Sequence, residues 1–396
     1  QALNGILTQY KRQFPEDPMQ ATVQQQQLAH GVSIVSRAVT SRSSLAVLSN
    51  ILIKTDNGRL RLSATNLELG ISAWIGAHVK EEGGLTVPAR TFADMVSNLP
   101  SEDVILTVDN NTQTLNVKCG TLNTDIKGIS AEEFPPMPSP DLDEAIALNV
   151  ENFKEQIQQV VFAASTDDAR PNLTGVHMVF DGNTLEMAAT DGYRISIAKS
   201  EMAQKVPQNF EALVPARALA ELSRIAVNGD ESVLMTFPQG RGQVIFHLND
   251  AELVSQLIEG SFPNYSAIIP PTFKTRTVLS TAQLLKACKQ TEIIAREGSY
   301  IAKLDIQPEL EGEKSSLLEI SARSEQTGSS EVMVDASVDG VPLLISFNIR
   351  YLREALEVIK TPTVSLETNA VHTPGLLRPV GDDHFSHIIM PINTAR

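Results

Sequence analysis

The stretch that decides the fold reads LTVPARTFADMVSNL and spans residues 85–99. The alternation in Leu85-Thr86-Val87 predicts a short strand, and the apolar residues at helical spacing after it predict a helix that begins beside Pro88. The same succession of strand and helix recurs in LVPARALAELSRI, residues 213–225, and in ISFNIRYLREALEVI, residues 345–359. One structural unit therefore occurs three times along the chain.

Each copy also opens with a short strand and an earlier helix. The apolar residues of these helices lie at helical spacing in Leu28, Val32 and Val35, in Phe153, Ile157 and Val160, and in Leu284 and Cys288, with Ser280 or Thr281 as the last helix's N-cap. Between the two helices, residues 60–65, 185–190 and 318–322 alternate apolar and polar as half-buried strands do. The copies start about 125–130 residues apart, which is the length of a domain rather than of a solenoid repeat.

This pattern predicts an α+β fold of three similar domains, each with two helices packed on antiparallel sheet. The predicted domains are 19–145, 146–273 and 274–396. Residues 1–18 precede the first copy and contain no apolar stretch of the kind a secretory signal needs, so we expect an N-terminal extension.

The composition excludes several classes of protein. Of the 396 residues, 42% are hydrophobic, which is enough for packed cores and argues against disorder. Two cysteines, Cys119 and Cys288, cannot form a disulfide framework, and no apolar run approaches the roughly 18 residues of a membrane helix. We therefore expect a cytoplasmic protein with no membrane partner. The formal net charge of −15 argues against a tight nucleic-acid binder, although it does not say where the charges lie.

Motifs for catalysis are absent from the sequence. It has no glycine-rich phosphate loop, no Gly-x-Ser-x-Gly and no His-Glu-x-x-His. His384 and His387 are three apart on a predicted strand, which places them on opposite faces and disfavours a metal site. Asp167 and Asp168 could act as a pair of catalytic carboxylates in a hydrolase, but the pattern favours a turn. We expect a protein that is not an enzyme and needs no cofactor or metal.

Basic residues recur on the predicted helices, away from the apolar positions. Arg350, Arg353 and Lys360 share one side of a helix, and Lys286 and Lys289 share another. From the pattern alone, an ordinary solvated helix face is favoured over a surface that faces nucleic acid.

Several motifs, in order, resemble those of the bacterial DNA sliding clamps, the β subunits of the replicative DNA polymerase. The similarity covers about residues 20–396, and its motifs are Ala64-Thr65-Asn66-Leu67-Glu68-Leu69, Val87-Pro88-Ala89-Arg90, Ala189-Thr190-Asp191-Gly192-Tyr193-Arg194, Gly260-Ser261-Phe262-Pro263-Asn264-Tyr265, Phe347-Asn348-Ile349-Arg350-Tyr351 and Ile389-Met390-Pro391-Ile392.

The resemblance implies a processivity factor in which two chains of three domains form a head-to-tail homodimer. This closed six-domain ring would encircle double-stranded DNA without reading its sequence, with helices lining the hole. The partners would be the replicative polymerase, the clamp loader and other replication or repair proteins that carry clamp-binding peptides. Residues facing the DNA channel would be Arg37, Arg42, Arg90, Lys154, Arg170, Arg217, Arg224, Lys286, Lys289, Arg350, Arg353 and Lys360.

A peptide-binding pocket between the second and third domains is the second implication of the resemblance. Aliphatic side chains and a methionine would form an adaptable apolar slot, while Arg194 and backbone amides would orient the peptide. Carried over by position, the pocket comprises Leu173, Thr190, Gly192, Tyr193, Arg194, Ile195, Pro263, Ile268, Ile388, Met390, Pro391 and Ile392.

Three stretches depart from the family pattern. The chain ends in Ile392-Asn393-Thr394-Ala395-Arg396, and Pro171-Asn172 stand where relatives often have aromatic residues. At the implied dimer interface, Ile293 and Ile294 are apolar, whereas their counterparts Thr124 and Ile126 are only half apolar. The alternative hypothesis is therefore a monomeric peptide-docking scaffold without ring closure.

Overall fold

A computed structural model of the chain describes residues 19–40, 45–226, 232–238, 240–309 and 316–393. Within these ranges the α-helices are α1 (Gln25–Val35), α2 (Ala89–Ser97), α3 (Val150–Val160), α4 (Ala216–Ile225), α5 (Thr281–Ala295) and α6 (Ile349–Val358). Short 3-10 helices lie at Ser36–Ala38, Ala46–Ser49, Ala131–Glu133, Val161–Ala163, Pro171–Leu173 and Arg296–Gly298. No helix in these ranges is long and apolar enough to cross a membrane.

The strands run antiparallel to their neighbours. Those of the first half are β1 (Gln20–Gln24), β2 (Asn50–Asp56), β3 (Arg59–Thr65), β4 (Leu69–Gly76), β5 (His78–Glu81), β6 (Gly84–Pro88), β7 (Asp103–Asp109), β8 (Thr114–Cys119), β9 (Leu122–Lys127), β10 (Ile129–Ser130), β11 (Ile146–Asn149), β12 (Gly175–Asp181) and β13 (Thr184–Thr190). Those of the second half are β14 (Arg194–Glu201), β15 (Phe210–Pro215), β16 (Ser232–Thr236), β17 (Gln243–His247), β18 (Ala251–Gln256), β19 (Thr275–Ser280), β20 (Ile301–Gln307), β21 (Ser316–Ser324), β22 (Gly328–Gly340), β23 (Leu343–Asn348), β24 (Thr363–Thr368), β25 (Gly375–Pro379) and β26 (Phe385–Ile389).

The described chain divides into two compact units. Unit 1 comprises residues 19–147 with 224–256, and unit 2 comprises residues 148–223 with 257–393. The second predicted domain thus contributes to both units. The reason lies in the sheets, because β18 pairs with β4 of the first copy, and β14 pairs with β26 of the third.

Unit 1 contains two sheets. One has the order β5-β1-β7-β8-β9, and the strands of the other that lie in this unit follow the order β10-β6-β2-β3-β4-β18-β17-β16. Helix α1 buries Leu28, Val32 and Val35 as its spacing predicts.

Unit 2 contains one sheet in the order β15-β12-β13-β14-β26-β25-β24-β19-β22-β21-β20-β23. Phe153, Ile157 and Val160 form the buried face of α3. Helix α5 begins after Ser280, whose side chain accepts from the Gln283 amide at 3.4 Å, so Ser280 rather than Thr281 is the N-cap.

The loops between β3 and β4 and between β13 and β14 have the same geometry. Asn66 Oδ1 accepts from the amides of the second and third residues after it, and Asp191 Oδ1 does the same. The residue directly after Asn66 or Asp191 has a left-handed backbone in both loops, with φ of 77° for Leu67 and 95° for Gly192. The internal repeat is therefore visible at the level of single hydrogen bonds.

Candidate functional site

The Thr190–Arg194 loop is a tight turn held by its own side chains. Thr190 Oγ1 donates to Arg194 O at 2.6 Å and accepts from the Gly192 amide at 3.0 Å. Asp191 Oδ1 accepts from the Tyr193 amide at 2.9 Å, which fixes the direction in which Tyr193 leaves the loop. Asp191 and Gly192 therefore form a turn, and Gly192 supplies the left-handed residue that it needs.

A buried apolar cluster lies beside this loop. It contains Ile195 of β14, Ile388 of β26 and Tyr265, with Ile268 partly buried against it. The hydroxyl of Tyr265 donates to Glu186, and burial together with this hydrogen bond raises the tyrosine pKa. The cluster provides a rigid apolar floor in unit 2.

Exposed side chains adjoin the strands of this cluster along the chain. Tyr193 is 63% exposed and Met390 is 39% exposed, and the Met390 amide donates to Tyr193 O at 2.9 Å. Pro263 is exposed, whereas Leu173 is buried at the end of its 3-10 helix. Because the chain holds two large apolar side chains at the surface beside a buried cluster, this region can accept an apolar partner.

The C-terminal segment is anchored next to the same region. The Ile392 amide donates to Ser346 O at 2.8 Å, so Pro391 and Ile392, both half-buried, run beside the end of β23. Residues 394–396 of the altered C-terminus lie outside the described residues.

Arg194 is largely buried within unit 2. The resemblance implies that it orients a bound peptide, and its side chain is 7% exposed. Its guanidinium donates to Asp191 Oδ2 at 3.1 Å, to Glu354 Oε2 at 2.5 Å and to Phe162 O at 2.6 Å. Its carbon Cζ also lies 4.2 Å from the centre of the Tyr351 ring. Arg194 therefore ties the loop to α6, with little of its side chain at the surface.

The residues that contact the Arg194 side chain from other segments were not predicted from the sequence. Burial alone would raise the pKa of Glu354, but hydrogen bonds from Arg350 and Arg194 lower it below its usual range. Burial, and next the charge of Asp191, raises the pKa of Tyr351. Phe162, Tyr351 and Glu354 come from other segments, so local spacing carries no signal for them.

Most candidates for the DNA channel are exposed. Arg37, Arg90 and Arg224 are exposed in unit 1, and Arg170, Arg217, Lys286, Lys289, Arg350 and Lys360 are exposed in unit 2, whereas Lys154 and Arg353 are half-buried. Arg42 lies outside the described residues. Within unit 2, Lys289 pairs with Glu357 at 3.0 Å and Lys360 with Glu155 at 3.0 Å.

Arg353 differs from the other basic candidates. Its side chain is 20% exposed and contacts the carboxylates of Glu292 at 2.6 Å, Glu357 at 2.8 Å and Glu354 at 3.3 Å. With three acidic neighbours, its charge is neutralised inside unit 2. It holds α5 and α6 together.

The interface candidates lie in different environments. Ile293 is 62% exposed and Ile294 is half-buried near the end of α5. Thr124 is exposed on the edge strand β9, but Ile126 is buried, because it lies on the core face of β9 opposite Leu115. Ile126, expected at the dimer interface, is therefore 6% exposed and offers little surface to a partner.

The remaining chemical candidates do not form a reactive site. Asp167 accepts from the Ala169 amide and the Arg170 side chain, both at 3.0 Å, which identifies a turn. These hydrogen bonds lower the pKa of Asp167. Among the described residues, no three His, Cys, Asp or Glu side chains are grouped so that they could hold a metal ion.

Comparisons with known proteins agree with the geometry. Family models of the DNA polymerase III beta subunit match its N-terminal domain to residues 19–138, its central domain to 147–264 and its C-terminal domain to 266–393. A beta sliding clamp from Synechococcus elongatus is 34% identical over 378 residues, which cover 94% of this chain and 99% of the relative.

Solved structures are similar over the same length. The DNA polymerase sliding clamp from Bacillus subtilis is 27% identical, with a TM-score of 0.89 over 96% of this chain and 100% of that one. A sliding clamp from Pseudomonas aeruginosa, bound to griselimycin, is 26% identical, with a TM-score of 0.86 over 95% of this chain and 100% of that one. The chain therefore belongs to the DNA polymerase III beta subunit family, the bacterial sliding clamps, and is a non-catalytic processivity factor of DNA replication.

Proposed function

We propose that two copies of this chain close head to tail into a cytoplasmic ring around duplex DNA, are placed there by a clamp loader, and tether the polymerase through the Tyr193–Met390 region of unit 2. The observation that supports the tether is the backbone hydrogen bond from Met390 to Tyr193, two exposed residues at the ends of strands that carry a buried apolar cluster. A monomeric peptide-docking scaffold is not favoured, because the relatives named sliding clamps match almost the whole chain.

The ring has a direct test. Sedimentation at micromolar concentration should give the mass of two chains, and protein loaded on a circular plasmid should be lost when the plasmid is linearised. A topological link predicts release on cutting, whereas ordinary binding does not. A single-chain mass together with equal retention on cut and intact plasmid would refute ring closure.

The pocket is tested by truncating its methionine. Met390→Ala should weaken binding of griselimycin, the ligand in the Pseudomonas aeruginosa structure, by about tenfold, since removal of a contact worth ~1.4 kcal/mol changes affinity by that factor. Titration calorimetry gives the affinity. The matched control is Met333→Ala, an exposed methionine of β22 in the same unit. Equal affinities for Met390→Ala and the wild type would remove Met390 from the pocket.

The channel assignment predicts a contrast between two kinds of basic residue. Lys286→Gln and Arg217→Gln should each reduce the slope of log K against log salt for duplex DNA by about one, because each removes one phosphate contact. Arg353→Gln should leave the slope nearly unchanged, since three carboxylates already neutralise its charge. Fluorescence anisotropy across a salt series measures the slopes. The same loss of slope in all three variants would contradict the structural role of Arg353.

A further inference from the structure

Unit 1 contains a cleft that has no part in the proposed pocket. Its volume is about 400 Å³, and it lies between α1, β4 and the turn that joins β17 to β18. Apolar side chains line it, among them Ile34, Ile75 and Leu248, and Trp74 stands at its wall. Sites for small molecules in proteins have volumes of about 300–1,000 Å³, so this cleft is large enough for a small ligand.

Because of the internal repeat, the strand pairing beside this cleft in unit 1 has an equivalent in unit 2 with which it can be compared. In unit 1 the Trp74 amide donates to Asp250 O at 2.9 Å, and in unit 2 the Lys199 amide donates to His384 O at 2.8 Å. These two bonds fix the register of β4 on β18 and of β14 on β26. We call each of these two strand pairings a joint. The joint of unit 1 and the joint of unit 2 can therefore be compared residue by residue.

One of the differences between the two joints concerns the side chain that faces the cleft from β18. Ala251 of β18 lies opposite Ala73, and Phe385 of β26 lies opposite Ala198. Phe385 is fully buried in unit 2, whereas Ala251 lines the cleft of unit 1. Unit 2 therefore carries a phenyl ring at the position where unit 1 has only a methyl group.

The rim of the cleft is polar. Gln27 and His30 of α1 are exposed at its mouth. Glu155 of α3 is the counterpart of His30, because the buried positions of the two helices match at a constant offset, and it pairs with Lys360 at 3.0 Å. The amide and imidazole at the mouth of the unit 1 cleft can donate or accept hydrogen bonds.

We propose that this cleft binds a small planar aromatic molecule with one hydrogen-bonding group, the ring lying beside Ala251 where unit 2 has Phe385. The hydrogen-bonding group would meet Gln27 or His30. An aromatic ring suits the site because the fold already accommodates one at the equivalent joint, and because Ile34, Ile75 and Leu248 offer apolar contacts to it.

Benzyl alcohol is a suitable probe, because it has a phenyl ring and one hydroxyl. Trp74 is the chain's single tryptophan and lines the cleft, so its fluorescence reports occupancy. Titration into the full chain, with excitation at wavelengths that the probe does not absorb, should give a saturable change with a dissociation constant on the order of 1 mM, as expected for so small a ligand. A change that rises linearly without saturation would overturn the proposal.

Substitutions that fill the cleft should weaken the binding of benzyl alcohol. Ala251→Phe should weaken binding at least about tenfold, and Ala251→Leu should weaken it by less, a graded series that keeps the test valid if the larger side chain disturbs folding. Ala282→Phe, at an exposed position of α5, is the matched control and should bind as the wild type does. Folding of each variant is checked by circular dichroism. Equal affinity in the folded Ala251 variants and the wild type would refute the site.

Discussion

Replacing Arg194 with glutamine should lower the free energy of unfolding of unit 2 by about 3 kcal/mol, because it breaks a buried ion pair from one side. Glu354 and Asp191 each keep only about one sixth of their side-chain surface exposed, 15% and 16%. Without the guanidinium, Asp191 loses its ion-pair partner within the loop and Glu354 keeps only the contacts from α6, including Arg350 at 2.8 Å. Urea unfolding followed by circular dichroism measures the loss.

The same variant should also lose ligand binding, although Arg194 does not reach the surface. Arg194 Nε holds Asp191, whose other oxygen fixes the Tyr193 amide, so the loop that presents Tyr193 should loosen. Griselimycin affinity, measured by calorimetry below the unfolding range, should fall at least about tenfold.

Arg170→Gln is the matched control for this prediction. Arg170 is exposed, pairs with Asp167 at 3.0 Å and donates to the same loop at Asp191 O. Exposed pairs contribute about 0–1 kcal/mol, so this change should leave unfolding nearly unaltered. Equal destabilisation by the two substitutions would show that the burial of Arg194 does not govern its contribution.

The sequence predicted those features that depend on local patterns. The core faces of α1 and α3 follow from apolar spacing, and the turn at Asp167 follows from residue chemistry. His384 and His387 were expected on opposite faces of one strand; His387 is fully buried in β26, whereas His384 is exposed just before that strand begins. Each of these depends on neighbours within a few residues.

Features that depend on distant partners could not be predicted. Arg194 meets Glu354 across 160 positions, and no spacing rule connects them, so the ion pair that buries Arg194 could not be predicted. The burial of Ile126 could not be predicted for a similar reason, since whether one face of β9 is buried depends on the sheet it joins. Likewise, the joining of β4 to β18 and of β14 to β26 could not be inferred from the repeat itself.

The charge of the chain also gains a structural explanation. Several basic side chains on α5 and α6 that could meet phosphate are paired with Glu292, Glu354 or Glu357. Because these carboxylates offset the positive charge, the helices present a weaker field than their lysines and arginines suggest. A weak field suits a protein that must move along DNA, since each tight phosphate contact would have to be broken at every step.

Lowering the pH from 7.5 to 5 should lower the free energy of unfolding of unit 2 by about 2 kcal/mol through His387 alone. Burial, and next the charge of Arg194, lowers the pKa of His387 to about 3 from its usual 6.5. Nδ1 bonds to Ser196 Oγ at 2.7 Å, while Nε2 is buried without a hydrogen-bond partner among the described residues. A second proton would therefore create an unsatisfied charge in the core.

The sign of the effect follows from the two pKa values. Because the folded pKa lies below the unfolded one, the unfolded chain binds the extra proton first, so stability is complete above pH 6.5 and falls as the pH drops towards 3. His387→Gln removes this titration, and its unfolding free energy, measured with urea at both pH values, should decline less than that of the wild type by about 2 kcal/mol. His384→Asn, which changes an exposed histidine three positions away, should retain the full decline. An identical pH dependence in wild type and His387→Gln would show that His387 takes up its proton in the folded state, which would require the site to open before unit 2 unfolds.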